Sequence, residues 1–178
     1  MRNINLKTIT KNILTLIDYS GMSDLDFANI LEKSDRTLKR MRNGEAEFNI
    51  DDVNLSVSFF GSQIADLNKG NFLAKSHFRH HLIDKHKNNT EYSVILKKRP
   101  TITFAIQYYL MIDPAFAQNG YSVNEIKTFF EKLSWKYSSA YISSAMARSN
   151  PMIQISGTKI VRGKKINIYK PQTSLASE

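Results

Sequence analysis

A mainly helical chain, α+β overall and organised as two small modules, is the fold class the sequence predicts, and three observations predict it. Apolar residues recur at intervals of three and four through most of the 178 residues, the spacing that lines one face of an α-helix. The seven glycines, at 21, 44, 61, 70, 120, 157 and 163, fall between those segments and act as punctuation. Beyond Pro151 the spacing changes to alternation, with Ile153 and Ile155, Ile160, then Ile166 and Ile168 around turns at Ser156-Gly157 and Arg162-Gly163. That pattern predicts a small β-hairpin.

Each element has a local reason. In residues 1–70, the first helix carries Leu6, Ile9, Ile13, Leu16 and Ile17. The second, with Phe27, Ala28, Ile30 and Leu31, opens at Ser23 with Asp26 three residues on, the start of a capping box. Ser34 caps a third helix holding Leu38 and Met41, and Asn49 caps a fourth holding Val53, Val57 and Phe60, with Asp51 and Asp52 at its positive end. Ile64 and Leu67 mark a fifth. Residues 71–100 read as a basic linker that holds a helix and, in the alternation of Tyr92, Val94 and Leu96, a strand able to pair across a two-fold axis. Over 101–171, Ile102, Ala105, Ile106, Tyr109 and Leu110 predict a helix that stops at Asp113-Pro114, and the Ser122 to Glu125 capping box opens another. A third, from about Ser138 to Ser149, is closed by Pro151 before the hairpin. Residues 172–178 read as a disordered tail.

Composition narrows the partners. Twenty-five Lys and Arg against sixteen Asp and Glu give a net charge of +9, which favours polyanions. The charge is unevenly placed: residues 1–70 carry −1, the linker +5 and residues 101–178 +5. Within the first module Lys33, Arg36, Lys39, Arg40 and Arg42 nevertheless crowd one ten-residue segment. The absence of cysteine removes disulfides, thiolate metal sites and cysteine nucleophiles. No segment approaches the ~20 apolar residues of a membrane span and the opening lacks a signal-peptide core, so a soluble cytoplasmic protein is expected.

The segment FANILEKSDRTLKRMRNG, at Phe27 to Gly44, followed by FNIDDVNLSVSFFGSQIADL, resembles the lambda-repressor-like, or Xre, family of helix-turn-helix proteins over about residues 5–70. The resemblance implies a five-helix domain whose third helix enters the major groove of DNA. It places Asp35, Arg36, Thr37 and Arg40 at base edges, where Arg grips guanine, Asp accepts from cytosine and Thr meets a thymine methyl. Lys39, Arg42 and Asn43 become phosphate contacts. Two departures stand out: Glu32 and Lys33 occupy the turn where relatives carry Gly and an aliphatic residue, and Asp24 stands where many place an amide that holds phosphate. Residues 101–171 resemble winged-helix domains in element order. That implies DNA contacts from Ser138, Ser139, Tyr141, Ser144 and Arg148 on the third helix and from Arg162, Lys164 and Lys165 at the hairpin turn.

Each assignment has a plainer counterpart, since polar residues on a surface helix and a basic turn are also ordinary solvated features. His77, His81 and Asp84 could share a helical face with His80 beside them, but Arg79, Lys85 and Lys87 oppose a cation there, so no metal is expected. No catalytic motif or small-molecule ligand signature is present, so the expected protein is a cofactor-free, non-enzymatic regulator that reads double-stranded DNA as a homodimer. The same modules would serve a plasmid or phage replication or partition factor, or an antitoxin-like protein-interaction module.

Overall fold

The computed structural model describes residues 4–74, 77–149 and 152–172. The protein is mainly helical with one two-stranded antiparallel sheet, and it divides into two compact units between Lys98 and Arg99.

In the first unit, α1 (Leu6–Ser20), α2 (Asp24–Ile30), α3 (Asp35–Arg42), α4 (Ile50–Phe60) and α5 (Ile64–Leu67) stand where caps and apolar spacing predict them. The cap assignments hold atom by atom. Ser23 and Ser34 Oγ accept from the Asp26 and Thr37 amides at 3.1 and 3.2 Å. Asn49 and Asp52 form a reciprocal box, each side chain accepting from the other's amide. Ile9, Ile13 and Ile17 of α1 are fully buried against Phe27, Phe48 and Phe59, and the Phe27 ring lies edge-on to that of Phe48. Two buried polar groups fix how the chain returns to α1. Thr10 Oγ1 accepts from the Phe48 amide, and Asn12 Nδ2 donates to the carbonyls of Leu67 and Lys69.

Up to Lys98, the segment read as a linker belongs to this unit. It forms α6 (Phe78–Lys85) and α7 (Thr90–Lys97), so the expected strand over Tyr92 to Leu96 is a helix, capped by Asn89. Its apparent alternation came from Val94, which is 59% exposed, while Tyr92, Ile95 and Leu96 fall at helical spacing on the core side. A surface helix cannot lend strand edges to a partner, so that dimer interface is withdrawn. Basic residues on the outer faces hid two apolar anchors, Leu82 and Leu96, both fully buried in the α1–α4 core. Arg79 is buried as well, its guanidinium donating to the carbonyls of Ser20, Leu96 and Lys98, so one side chain satisfies the ends of α1 and α7. His86 stacks on Phe59 with ring centroids 4.8 Å apart.

The second unit begins with α8 (Ile102–Ala105), which continues into a π-helical turn over Ile106–Leu110. Asp113-Pro114 ends that segment and also starts α9 (Pro114–Asn119), a six-residue helix too short for apolar spacing to announce. Its signal was present, because Asp113 caps it and proline suits the first helical position. Then come α10 (Val123–Lys132), opened by the reciprocal Ser122–Glu125 box, and α11 (Ser139–Arg148). The strands β1 (Ile153–Val161) and β2 (Lys164–Pro171) pair antiparallel. The expected turn at Ser156-Gly157 is instead an irregularity inside β1, where the register shifts between Ile155 and Gly157. Phe116, Ile126, Phe130 and Ile142 form the fully buried centre.

Tyr121 pairs with Tyr169 through two 2.9 Å backbone hydrogen bonds, which pin β2 to the chain just before α10. Gly120 makes that approach possible. Its φ is 70°, and a Cβ there would lie 2.7 Å from the Tyr169 carbonyl. Gln172, expected in a disordered tail, donates its amide to Met152, whereas Pro151 and 173–178 lie outside the described residues. Among the described residues no helix is long and apolar enough to cross a membrane.

Candidate nucleic-acid interface

The site in the first unit is built on α2, the Leu31–Ser34 turn and α3. The turn closes through the Leu31 and Lys33 amides, both donating to Ala28, and it holds Glu32 at φ 54°, the left-handed conformation that glycine adopts without strain. Lys33 Nζ pairs with the largely buried Asp52 at 3.1 Å, which ties the turn to the start of α4. Glu32 thus takes the left-handed conformation of the turn while Lys33 anchors it through an ion pair.

From Ser34 onward, α3 buries Leu38 and Met41, leaves Arg36, Lys39 and Arg40 exposed and holds Asp35 and Thr37 half-buried. Arg36 is exposed and makes no ion pair with a described residue. Thr37 Oγ1 lies 2.9 Å from Ser34 Oγ, and Arg40 is only loosely associated with Glu45 at 3.9 Å. Asp35 is not a free acceptor, because Lys39 Nζ approaches it at 2.6 Å. That hydrogen bond and the charge behind it hold the Lys39 ammonium protonated above the ordinary lysine range. Asn43 Nδ2 donates to Glu45. Of the residues assigned to phosphate, Lys39 and Asn43 thus each stand beside one acid, whereas Arg42 is held between two.

Arg42, assigned to phosphate by the resemblance, makes its contacts within the first unit. Its Nη1 and Nη2 donate to the two Asp18 oxygens at 3.0 and 2.8 Å, while Nε and Nη2 reach Asp24 at 2.7 to 3.1 Å. Burial works against the charge, but the hydrogen bonds the guanidinium donates to Asp24 and Asp18 outweigh that and bind the proton more firmly than in ordinary arginine. Two carboxylates thus engage four of the five guanidinium N–H donors and offset its charge, leaving one Nη1 hydrogen uncommitted among the described residues. Arg42 joins the end of α1, the start of α2 and the end of α3.

In the second unit, α11 turns Ile142, Ala145 and Met146 inward and leaves Ser139, Tyr141, Ser144 and Arg148 exposed. Tyr141, Ser144 and Arg148 share one face by their spacing of three and four. Ser138 is committed to the cap, accepting from the Tyr141 amide, and Arg148 Nε folds back onto the Ser144 carbonyl. At the hairpin, Arg162 and Gly163 have φ values of 50° and 74°, both central residues positive as a type I′ turn requires. Arg162, Lys164 and Lys165 are exposed, and none makes an ion pair with a described residue.

The sequence reading missed Lys159. It donates to Glu125 at 2.7 Å and so tethers β1 to α10 across 34 residues, a separation at which no local pattern reports contact. Burial would raise the Glu125 carboxyl, but hydrogen bonds from Lys159 and Ser122 outweigh it and hold the carboxyl at about 2. By charge the units differ: residues 1–98 hold fifteen Lys and Arg against twelve Asp and Glu, and residues 99–178 ten against four. Among the described residues no group of three or more His, Asp or Glu is placed to hold a metal ion. Comparison of the chain with protein-family models, curated proteins and solved structures finds no match.

Proposed function

We propose that this protein is a sequence-specific, double-stranded DNA-binding transcriptional regulator that acts as a homodimer. One observation carries the reading: behind a Ser34 cap and a tight turn, α3 buries only Leu38 and Met41 and presents Arg36, Thr37 and Arg40 outward from its amino-terminal turns. That is the arrangement a helix needs to lie in a major groove with its first residues at base edges. Arg36 is the strongest reader, since its donors meet no hydrogen-bond or ion-pair partner among the described residues and two of them match guanine O6 and N7. The second unit supports the same partner. Its first helix, the Tyr121 bridge to β2, α10, α11 and the hairpin follow the order of a winged helix, and its charge and unpaired turn cations favour phosphate. Pairing two chains would set two recognition helices on successive major grooves about 34 Å apart. The mechanism is binding energy alone: cations release counterions from phosphate and a few groups on α3 discriminate bases.

The test starts from duplexes recovered by the full chain from a random pool. Arg36→Ala and Arg40→Ala are then titrated against the recovered duplex and a scrambled one at several salt concentrations. Each substitution is expected to remove about 1–3 kcal/mol of discrimination at particular base pairs. Lys164→Ala with Lys165→Ala should instead weaken both duplexes alike and make the slope of log affinity against log salt shallower by up to about 2. A pool without enrichment, or arginine variants that lose equally on both duplexes, would refute the reading.

A further inference from the structure

The hairpin carries a feature that phosphate contacts do not use. Ile160 is 78% exposed and Val161 42%, two β-branched side chains in the last residues before the turn. An apolar residue at such a place ordinarily packs on an apolar cross-strand neighbour. Here the partners are lysines, Ile160 facing Lys165 and Val161 facing Lys164. Consecutive strand residues point to opposite faces, so Ile160 stands exposed beside Lys165 on one face and Val161 beside Lys164 on the other, with Arg162 at the turn, and none of these three cations is ion-paired with a described residue. Arg162 also holds the left-handed conformation that Asn or Gly would adopt with less strain, so the turn keeps a cation at a conformational cost.

The reach is suited to a groove. Beyond the Tyr121–Tyr169 pairing, β2 continues to Lys164, about 17 Å of strand at roughly 3.3 Å per residue, half a helical turn of duplex DNA. A second copy of this chain is a poor occupant, because three cations would meet three cations. A polyanion with an apolar interior is a good one, and stacked base pairs flanked by phosphates fit that description. Proteins that enter the minor groove insert Ile, Leu, Phe or Met between base steps, and pyrimidine–purine steps open most readily.

We propose that the β1–β2 tip is a minor-groove wedge, in which Ile160 enters a base step of duplex DNA while Arg162, Lys164 and Lys165 hold the phosphates on either side. The inference rests on the reading that the chain binds duplex DNA, and it adds that bound DNA is locally unstacked and bent.

The probe is a short duplex rich in TpA steps with 2-aminopurine, which brightens on unstacking, in place of single adenines, and with a donor–acceptor dye pair on its ends. The full chain at saturation is expected to raise the 2-aminopurine signal and bring the ends closer. Ile160→Ala should abolish both changes while affinity stays within about tenfold and the salt slope is unaltered, and Ile160→Phe should restore them. Matching thermal melts show that the variants remain folded. Binding without a 2-aminopurine change, or an Ile160→Ala signal equal to the parent's, overturns the wedge and leaves the DNA-binding function standing. Loss of self-association in Ile160→Ala with the DNA signal intact would likewise overturn it and assign the tip to a second copy. Failure to bind any duplex overturns the function and the wedge together.

Discussion

Replacing Arg42 with Ala separates a clamp from a phosphate ligand. The guanidinium makes charge-assisted hydrogen bonds to Asp18 and Asp24 from a side chain that is 29% exposed, against 62% for Asp18 and 26% for Asp24. Buried bonds to charged groups are worth about 1.5–3 kcal/mol and exposed pairs about 0.2–1 kcal/mol. The Asp24 half, mostly shielded, falls between those ranges at about 1–1.5 kcal/mol, and the open Asp18 half adds about 0.5 kcal/mol. Arg42→Ala should therefore cost about 2 kcal/mol and lower the melting temperature of the first unit by roughly 8–16 °C. Arg42→Lys should recover less than half, since an ammonium cannot span both carboxylates with a planar fork. The chain supplies its own control: its one tryptophan, Trp135, lies in the second unit. Far-UV circular dichroism should show the first unit melting earlier in Arg42→Ala while the Trp135 fluorescence transition stays in place. A double-mutant cycle with Asp24→Asn should return a coupling near 1 kcal/mol. An unchanged first transition, together with weaker DNA binding and a salt slope shallower by about 1, would show that Arg42 holds phosphate and that the clamp contributes nothing.

Three further outcomes are expected. Glu32→Gly relieves a left-handed residue, a gain of about 1–2 kcal/mol offset by about 0.5–1 kcal/mol of unfolded-chain entropy, so the urea midpoint should rise; a fall would mean that the turn is not strained. The Glu125 carboxyl is held below its ordinary 4.5 at about 2, so what it contributes to stability is complete above about pH 4.5 and is lost as pH falls from there toward 2. Carboxyl carbon NMR should follow that titration and find it moved upward in Lys159→Met, and a parent midpoint near 4.5 would contradict the tether. A fragment of residues 1–98 should give a dispersed amide spectrum while 1–70 collapses, because the shorter one loses the buried Leu82 and Leu96, about 1.5–3 kcal/mol each, and the Arg79 bonds. Equal dispersion from both would restore the earlier boundary.

What the sequence determined by itself is what one turn of chain can decide. Ser23, Ser34, Asn49 and Ser122 were legible as caps because each bonds an amide three residues ahead, and that geometry needs no partner from elsewhere. The buried face of α3 was legible for the same reason: Leu38 and Met41 are three apart, and a helix puts them on one side whatever lies opposite. Tertiary structure decided the rest, wherever a residue's role is set by a neighbour distant in sequence. Arg42 looked like a phosphate ligand because it ends a basic helix, yet Asp18 and Asp24 reach it first. Residues 71–98 looked like a linker because their surface is basic, yet two leucines and one buried guanidinium bind them to the first core. Lys159 looked like one more solvated cation until folding brought Glu125 within 2.7 Å. Local hydrogen bonds are written in spacing, but burial and ion pairing depend on which surfaces meet, and only the folded chain fixes that.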